Sequence, residues 1–303
     1  MNNIQRTFII GDTWSYFKLY TGFKTADKIL TDLIYPLSQQ LLQQKIIDKW
    51  FFIRYSDPKF HLRIRFHTDD VSKTGIIINA FNKAIKQYVS NDLVWKVQTD
   101  TYNRELERYG AENIENSEFI FWHDSEMICK ILYVNEVKQD ENLRWLLALK
   151  MIDVLLNSFH YTLKDKYNLL KKLHEDFSKE FNISTNAGKK QFADKYRTER
   201  NKIEEIINLD INSKLVVPVY EKQEQTKDVI NRIIEQNEDK NTLLSSYIHM
   251  MLNRLFRTQQ RKYELVLYDF LSIYYTSEIA KSKTVISSPC KTCADFEECR
   301  SLN

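Results

Sequence analysis

Between residues 61 and 67, His61, Arg63, Arg65 and His67 alternate with apolar residues. Such alternation predicts a β-strand with one buried face, because successive side chains point to opposite sides of a strand. The four basic side chains would share the other face, with neighbours roughly 7 Å apart. Arginine donates paired hydrogen bonds to carboxylates, and a row of cations is unfavourable unless an anion lies beside it. The segment therefore predicts a small-anion site, although alternation alone leaves a solvated polar face equally open.

A second group of charges lies at residues 102–110. If this segment is helical, Arg104 and Arg108 are neighbours at i and i+4, and Glu105 and Arg108 at i and i+3. Glu105 would then orient Arg108. The alternative is a network of surface ion pairs, which contributes little to stability.

A third group lies on the helix predicted at 243–256, where Ser246, His249, Asn253 and Arg257 form a polar stripe beside an apolar one. Histidine exchanges a proton near neutral pH, which makes His249 a candidate for proton transfer. The alternative is a structural histidine whose ring nitrogens are satisfied by hydrogen bonds.

Apolar spacing along the chain predicts the elements that must position these groups. It predicts strands at 14–20, 50–55, 60–67 and 93–101, and helices at 25–49, 73–90, 141–181, 188–207 and 219–280. This order predicts an α+β fold, with a mixed α/β N-terminal half that contains a β-sheet and a predominantly helical C-terminal half. We expect one domain over 1–303, with a sheet part at 1–135, a helical part at 136–282 and an irregular tail at 283–303.

Composition narrows the class of protein. A net charge of +3, from 44 basic and 41 acidic residues, does not favour direct nucleic-acid binding. The sequence has no signal-peptide pattern and no apolar run long enough to span a membrane, so we expect a cytoplasmic protein.

Nucleotide-binding and zinc-protease motifs are absent from the sequence, and we expect no cofactor. Cys290, Cys293 and Cys299 are only three clustered ligands, a weak zinc pattern, and we predict no metal site.

Taken in order, these groups resemble a known family. The run 50–66 resembles the start of the C-terminal, glutamate-eliminating domain of class I lantibiotic dehydratases, a domain that also occurs alone in thiopeptide pathways. Residues 16–20 fit the opening strand of that family, 102–110 its Glu-x-x-Arg-Tyr-Gly motif, and 246–256 its late helix. The resemblance spans about residues 7–280. The large glutamyl-transferring domain of the family has no counterpart here, so a freestanding elimination protein is expected.

The resemblance implies an activity. In the family, a Ser or Thr of a precursor peptide is esterified with glutamate from glutamyl-tRNA, and the elimination domain then expels glutamate to leave dehydroalanine or dehydrobutyrine. The positions that match the family's functional residues are Arg63, Arg65, Glu105, Arg108 and His249. Whether His249 acts as base or acid stays open. Further candidates for substrate binding are Arg54, His61 and Asn253.

The same resemblance implies partners and alternatives. The expected partners are the glutamylated precursor peptide and a separate glutamylating subunit, and a homodimer is plausible because family members associate. Freestanding relatives also include enzymes that form the pyridine ring of thiopeptides by a formal 4+2 cycloaddition. A non-catalytic peptide-binding subunit is the third possibility. The complete set of two arginines, a Glu-Arg pair and a histidine favours elimination.

Overall fold

The structure is a computed structural model that describes residues 4–138, 141–183, 186–237 and 239–287. It confirms the predicted α+β class, with the sheets in the N-terminal half and helices throughout the C-terminal half. No helix of the described ranges is both long and apolar enough to cross a membrane.

The main sheet has four antiparallel strands in the order β3-β4-β2-β5. The strands are β2 (Trp14–Thr21), β3 (Lys49–Tyr55), β4 (His61–His67) and β5 (Val94–Thr99). β3 and β4 form an antiparallel hairpin connected by residues 56–60. Because β4 lies between β3 and β2, its side chains are flanked on both sides. A smaller sheet pairs β1 (Thr7–Phe8) with β6 (Tyr102–Asn103).

The two faces of β4 differ as the alternation predicts. Leu62, Ile64 and Phe66 are fully buried on one face. There Ile64 is aligned with Phe17 of β2, which stacks on Phe81 with ring centres 4.0 Å apart. The opposite face carries the basic side chains. The apolar face thus holds the strand in a fixed register, which fixes the positions of the basic residues.

Eleven helices lie within the described ranges. They are α1 (Phe23–Ile29), α2 (Tyr35–Gln43), α3 (Thr74–Ser90), α4 (Leu106–Tyr109), α5 (Ile114–Lys138), α6 (Glu141–Ser158), α7 (Leu163–Glu180), α8 (Asn186–Asn208), α9 (Val217–Gln236), α10 (Lys240–Leu255) and α11 (Gln260–Ser287). A π-helical turn, Leu30–Ile34, joins α1 to α2.

The structure corrects the predicted helices in several places. The segment expected at 25–49 forms α1, the π-helical turn and α2, which ends at Gln43, and α5 was not predicted. The segment expected at 141–181 is interrupted before α7, where Thr162 and Asp165 form a capping box. The segment expected at 219–280 comprises α9, α10 and α11, and the Asp239 side chain caps α10. Residues 102–110 are not one helix, because β6 occupies the first two positions and α4 begins only at Leu106.

Asp27 on α1 forms a buried ion-pair cluster with three arginines. Its Oδ1 accepts from Arg54 Nη2 of β3 at 2.6 Å, and its Oδ2 accepts from Arg144 Nη2 of α6 at 2.7 Å. Arg257 Nε, just after α10, also donates to Oδ2 at 2.5 Å. Arg54 and Arg144 further donate to the carbonyls of Arg254 and Leu255 at the end of α10. One carboxylate therefore joins the sheet to α6 and α10. The arginines outweigh the effect of burial and hold the pKa of Asp27 below its usual value.

We expect Asp27→Asn to lower the free energy of unfolding by about 3–5 kcal/mol, because it leaves buried guanidinium groups without their counter-charge. Urea unfolding measures the loss. Asp32→Asn is the matched control, since Asp32 is exposed on the adjacent turn. Equal unfolding midpoints for the two variants would show that the cluster does not stabilise the fold.

Candidate active site

Arg63 lies on the open face of the sheet. Its Nε donates to Nε2 of His61 at 3.1 Å, and its guanidinium carbon lies 3.5 Å from the centre of the Tyr55 ring. Lys18 is its neighbour on β2 and forms an ion pair with Asp100. The Arg63 side chain is only half-buried, and no carboxylate of the described chain forms an ion pair with it. It is therefore oriented but still available to an anion.

His61 explains how Arg63 is oriented. The His61 ring is buried, with its centre 4.7 Å from that of Tyr20 and 5.6 Å from that of Tyr55. Its Nδ1 lies 2.8 Å from the carbonyl oxygen of Lys59. A carbonyl only accepts, so Nδ1 carries the hydrogen and Nε2 accepts from Arg63. Burial lowers the pKa of His61, which favours this neutral form. His61 thus positions Arg63.

Arg65 is buried in an aromatic box. Its guanidinium carbon lies 4.2 Å from the ring centre of Tyr16, 4.7 Å from that of Tyr102 and 5.1 Å from that of Phe51. Its Nε and Nη1 have no hydrogen-bond acceptor among the described residues. Burial lowers the pKa of Arg65 from its usual value, but a guanidinium stays charged near neutral pH. The box therefore holds a dehydrated positive charge with unused donors.

The predicted contact between Glu105 and Arg108 is present. Glu105 is the N-cap residue of α4, and its Oε2 lies 3.2 Å from Nη1 of Arg108 between two exposed side chains. Arg104 does not join them. It precedes α4 and is buried against Glu118, with its Nε 2.7 Å from Oε1.

His249 on α10 is paired with a residue that the sequence analysis did not identify. Its Nδ1 lies 2.9 Å from Oε1 of Glu264 on α11. Glu264 is fully buried and also accepts hydrogen bonds from Gln260 Nε2 at 2.6 Å and the Tyr268 hydroxyl at 3.2 Å. A carboxylate on the apolar stripe of a helix is the signal that would have revealed it, since residues 264, 267, 268 and 271 share the buried side of α11.

Arg108 and His249 line the same cavity of about 380 Å³. Helix α7 supplies Lys172 and Asp176 to its wall, and α11 supplies Arg261. Other lining residues include Asn241, Thr242, Ser245, Ser246, Glu264 and Tyr268. Arg63 and Arg65 are not among the lining residues.

Arg54 and Asn253 hold α10 against the edge of the sheet. Asn253 Oδ1 accepts from the backbone N–H of Arg54 at 2.9 Å, and its Nδ2 donates to the Arg54 carbonyl at 3.0 Å. The Arg54 guanidinium is engaged with Asp27 and the end of α10. His249 lies one turn before Asn253, so this clamp fixes the distance of His249 from β3.

No group of three or more potential metal ligands occurs in the described ranges. The three cysteines at 290, 293 and 299 lie outside the described residues.

The family described as "Lantibiotic biosynthesis dehydratase C-term" matches residues 14–275. The nisin biosynthesis protein NisB of Lactococcus lactis subsp. lactis is 24% identical over 275 residues, which cover 88% of this chain and 26% of NisB. The subtilin biosynthesis protein SpaB of Bacillus subtilis is 23% identical over 266 residues, or 82% of this chain and 24% of SpaB. The chain thus spans about a quarter of the length of these relatives.

Solved structures share the fold. The tRNA-dependent lantibiotic dehydratase MibB from Microbispora sp. 107891 superposes with a TM-score of 0.65 at 18% identity, over 91% of this chain and 29% of MibB. The pyridine synthase TbtD from thiomuracin biosynthesis gives a TM-score of 0.65 at 13% identity, over 89% of this chain and 100% of TbtD. At these identities the likeness concerns the fold alone.

We expect His61 to titrate below the ordinary histidine pKa of 6.5 and Arg63→Ala to raise its pKa. In the wild type, the positive charge of Arg63 and the hydrogen bond that it donates to Nε2 both favour the neutral ring. The substitution removes both, so the pKa of His61 should rise. NMR titration of the imidazole signals, assigned with His61→Gln, measures the change. Arg6→Ala, which removes an exposed arginine paired with Glu107, is the control. An unchanged or lower pKa in Arg63→Ala would contradict the assigned hydrogen bond.

Proposed function

The chain belongs to the family of lantibiotic biosynthesis dehydratase C-terminal domains, and we propose that it eliminates glutamate from glutamylated Ser or Thr residues of a ribosomally made precursor peptide. The observation that carries this proposal is the cavity shared by His249, a proton acceptor, and Arg108, an anion ligand. Elimination needs both groups at one place.

The proposed step is a β-elimination. The bond between Cα and its hydrogen breaks, and its electron pair forms the Cα=Cβ double bond. The bond between Cβ and the ester oxygen breaks, and its electron pair leaves on the carboxylate of glutamate. The products are dehydroalanine from Ser or dehydrobutyrine from Thr, free glutamate, and a proton held by the base. The balance requires no oxidant or reductant.

His249 is the proposed base. Its Nδ1 faces the buried Glu264 carboxylate, so in the neutral ring Nδ1 carries the hydrogen and Nε2 carries the lone pair that would accept the proton. As Cα loses its proton the imidazole becomes cationic, and the adjacent carboxylate stabilises that charge. Glu264 is thus a positioning residue, itself fixed by Gln260 and Tyr268.

The arginines are proposed to stabilise the negative charge that develops on the peptide carbonyl oxygen and on the departing carboxylate. Arg108 lines the cavity, and Glu105 orients it. Arg63 offers a half-exposed guanidinium, fixed by His61, to the glutamyl carboxylates or the enolate oxygen. Arg65 adds positive potential from a dry aromatic box, where charges act more strongly than in water.

The remaining predicted residues receive supporting roles. We assign positioning to His61, Arg54 and Asn253, whose polar atoms are engaged with other parts of the protein. We propose that a glutamylating subunit supplies the ester. That subunit and the precursor peptide are the proposed partners.

Mass spectrometry of the precursor peptide, glutamylated chemically at one serine, tests the proposal. We expect the wild-type chain to convert the ester to dehydroalanine with loss of one glutamic acid. His249→Ala and Arg63→Ala should leave most of the ester unconverted, with rates lower by about 10² or more, because the proton acceptor or an anion ligand is gone. Arg197→Ala, at an exposed arginine on α8, is the control.

The other outcomes of this assay separate the alternatives. Folded wild-type protein that leaves the ester intact would refute elimination. Ring formation on a peptide that already contains dehydroalanines would assign a cycloaddition instead. Binding without any change in peptide mass would indicate a non-catalytic subunit.

Glu264→Gln should reduce kcat about 10–100-fold while KM stays unchanged, because Gln cannot stabilise the cationic imidazole but keeps the shape of the buried side chain. Steady-state kinetics on the same peptide measure both constants. Tyr268→Phe removes only a hydroxyl that donates to Glu264 and should have a smaller effect on kcat. Unchanged kcat in Glu264→Gln would exclude the positioning role.

A further inference from the structure

The leaving group carries a positive charge as well as a negative one, so arginines alone cannot bind all of it. An aminoacyl-tRNA carries its amino acid through the α-carboxyl group, so a glutamyl group moved from tRNA to a serine hydroxyl keeps a free α-ammonium and a free γ-carboxylate. A site that recognises this group must offer a negative charge as well as positive ones. An ammonium left without a partner in a cavity is costly.

The cavity beside His249 carries both signs of charge. Its cations are Arg108, Lys172 and Arg261. Within the part of the chain that the structure describes, the carboxylates that line it are Glu264 and Asp176. Glu264 is fully buried and occupied by His249, Gln260 and Tyr268. Asp176 on α7 is therefore the carboxylate that remains for a ligand.

Asp176 is held only weakly by the protein. Its ion pair with Lys179 spans 3.7 Å between exposed side chains, a kind of contact that contributes little. Arg108 and Arg261, by contrast, already have carboxylate partners in Glu105 and Glu180. Lys172 lies one helical turn before Asp176, so opposite charges stand side by side on the α7 wall, about 5–6 Å apart between Cβ atoms.

We propose that Asp176 binds the α-ammonium of the glutamyl ester, an assignment that rests on the elimination function proposed above. The neighbouring cations Lys172 and Arg108 suit the carboxylate at the other end of the same group. The α7 wall then makes the site selective for an α-linked aminoacyl ester with a free amine. A simple acyl ester of the same size would leave Asp176 without its partner.

Two substrates separate this role from a structural one. The first is the precursor peptide with an α-linked glutamyl ester at one serine, and the second is the same peptide with the glutamyl amine acetylated. We expect the wild-type chain to prefer the free amine about tenfold in kcat/KM, mainly through KM. Asp176→Asn should lower kcat/KM about tenfold for the free amine and leave that of the acetylated ester unchanged.

Glu175→Gln is the matched control, because Glu175 is an exposed carboxylate on the same helix that lines a different cavity. It should leave both substrates unaffected, and Asp176→Glu should restore part of the preference. Equal losses on both esters in Asp176→Asn, or no preference in wild type, would overturn the Asp176 assignment while elimination stands. If wild type converts neither ester, the proposed function fails and this assignment fails with it.

Discussion

The Asp27 carboxylate determines where the end of α10 lies relative to the sheet. Arg54 reaches it from β3, Arg144 from α6 and Arg257 from the segment after α10, and two of these arginines also bind the last carbonyls of α10. Burying three cations around one anion is costly unless the geometry is good. The desolvation cost of this cluster is offset because the same ion pairs hold β3, α6 and the end of α10 together. The position of His249 depends on that alignment, together with the Asn253 clamp on β3.

The candidate site is built by two different physical means. On the sheet, Arg63 and Arg65 are held by rings and by a neutral histidine, so their charge is not cancelled by any carboxylate in direct contact within the described residues. In the cavity, Arg108 and His249 each have a carboxylate beside them. The sheet therefore provides positive potential, and the cavity provides oriented groups. The unused donors of Arg65 are a cost to the fold, which is the kind of cost that functional sites retain.

The spacing of residues along the chain predicted the contacts that form within a single strand or a single helical turn. Alternation placed Arg63 and Arg65 on one face of β4, and spacing alone paired Glu105 with Arg108. The condition that 102–110 is helical does not hold at Arg104, because pairing between β1 and β6 keeps Tyr102 and Asn103 extended and α4 begins only at Leu106. That pairing joins residues almost a hundred positions apart, which no local pattern reveals.

The partner of His249 escaped prediction for a related reason. Apolar spacing continues across the turn between α10 and α11, so the two helices were read as one, and on one straight helix His249 and Glu264 would lie about four turns apart. The turn folds α11 back and brings them to 2.9 Å. The same merging hid the capped start of α7, whose residues line the cavity. Most helices were thus predictable, with α5 the exception, whereas the contacts between helices depend on where each one ends.

In the proposed elimination, the pairing of charges in the cavity would affect release of the product as well as the chemical step. A cation that stabilises a departing carboxylate also binds the free product, and a site with only unpaired arginines would hold glutamate after elimination. Glu105 beside Arg108 and Glu180 beside Arg261 moderate that attraction, because each carboxylate competes with the product for its arginine. Catalysis requires stronger binding of the transition state than of substrate or product. An arginine that already has a carboxylate partner would bind the product carboxylate less tightly than a free arginine, so glutamate would leave the cavity more readily.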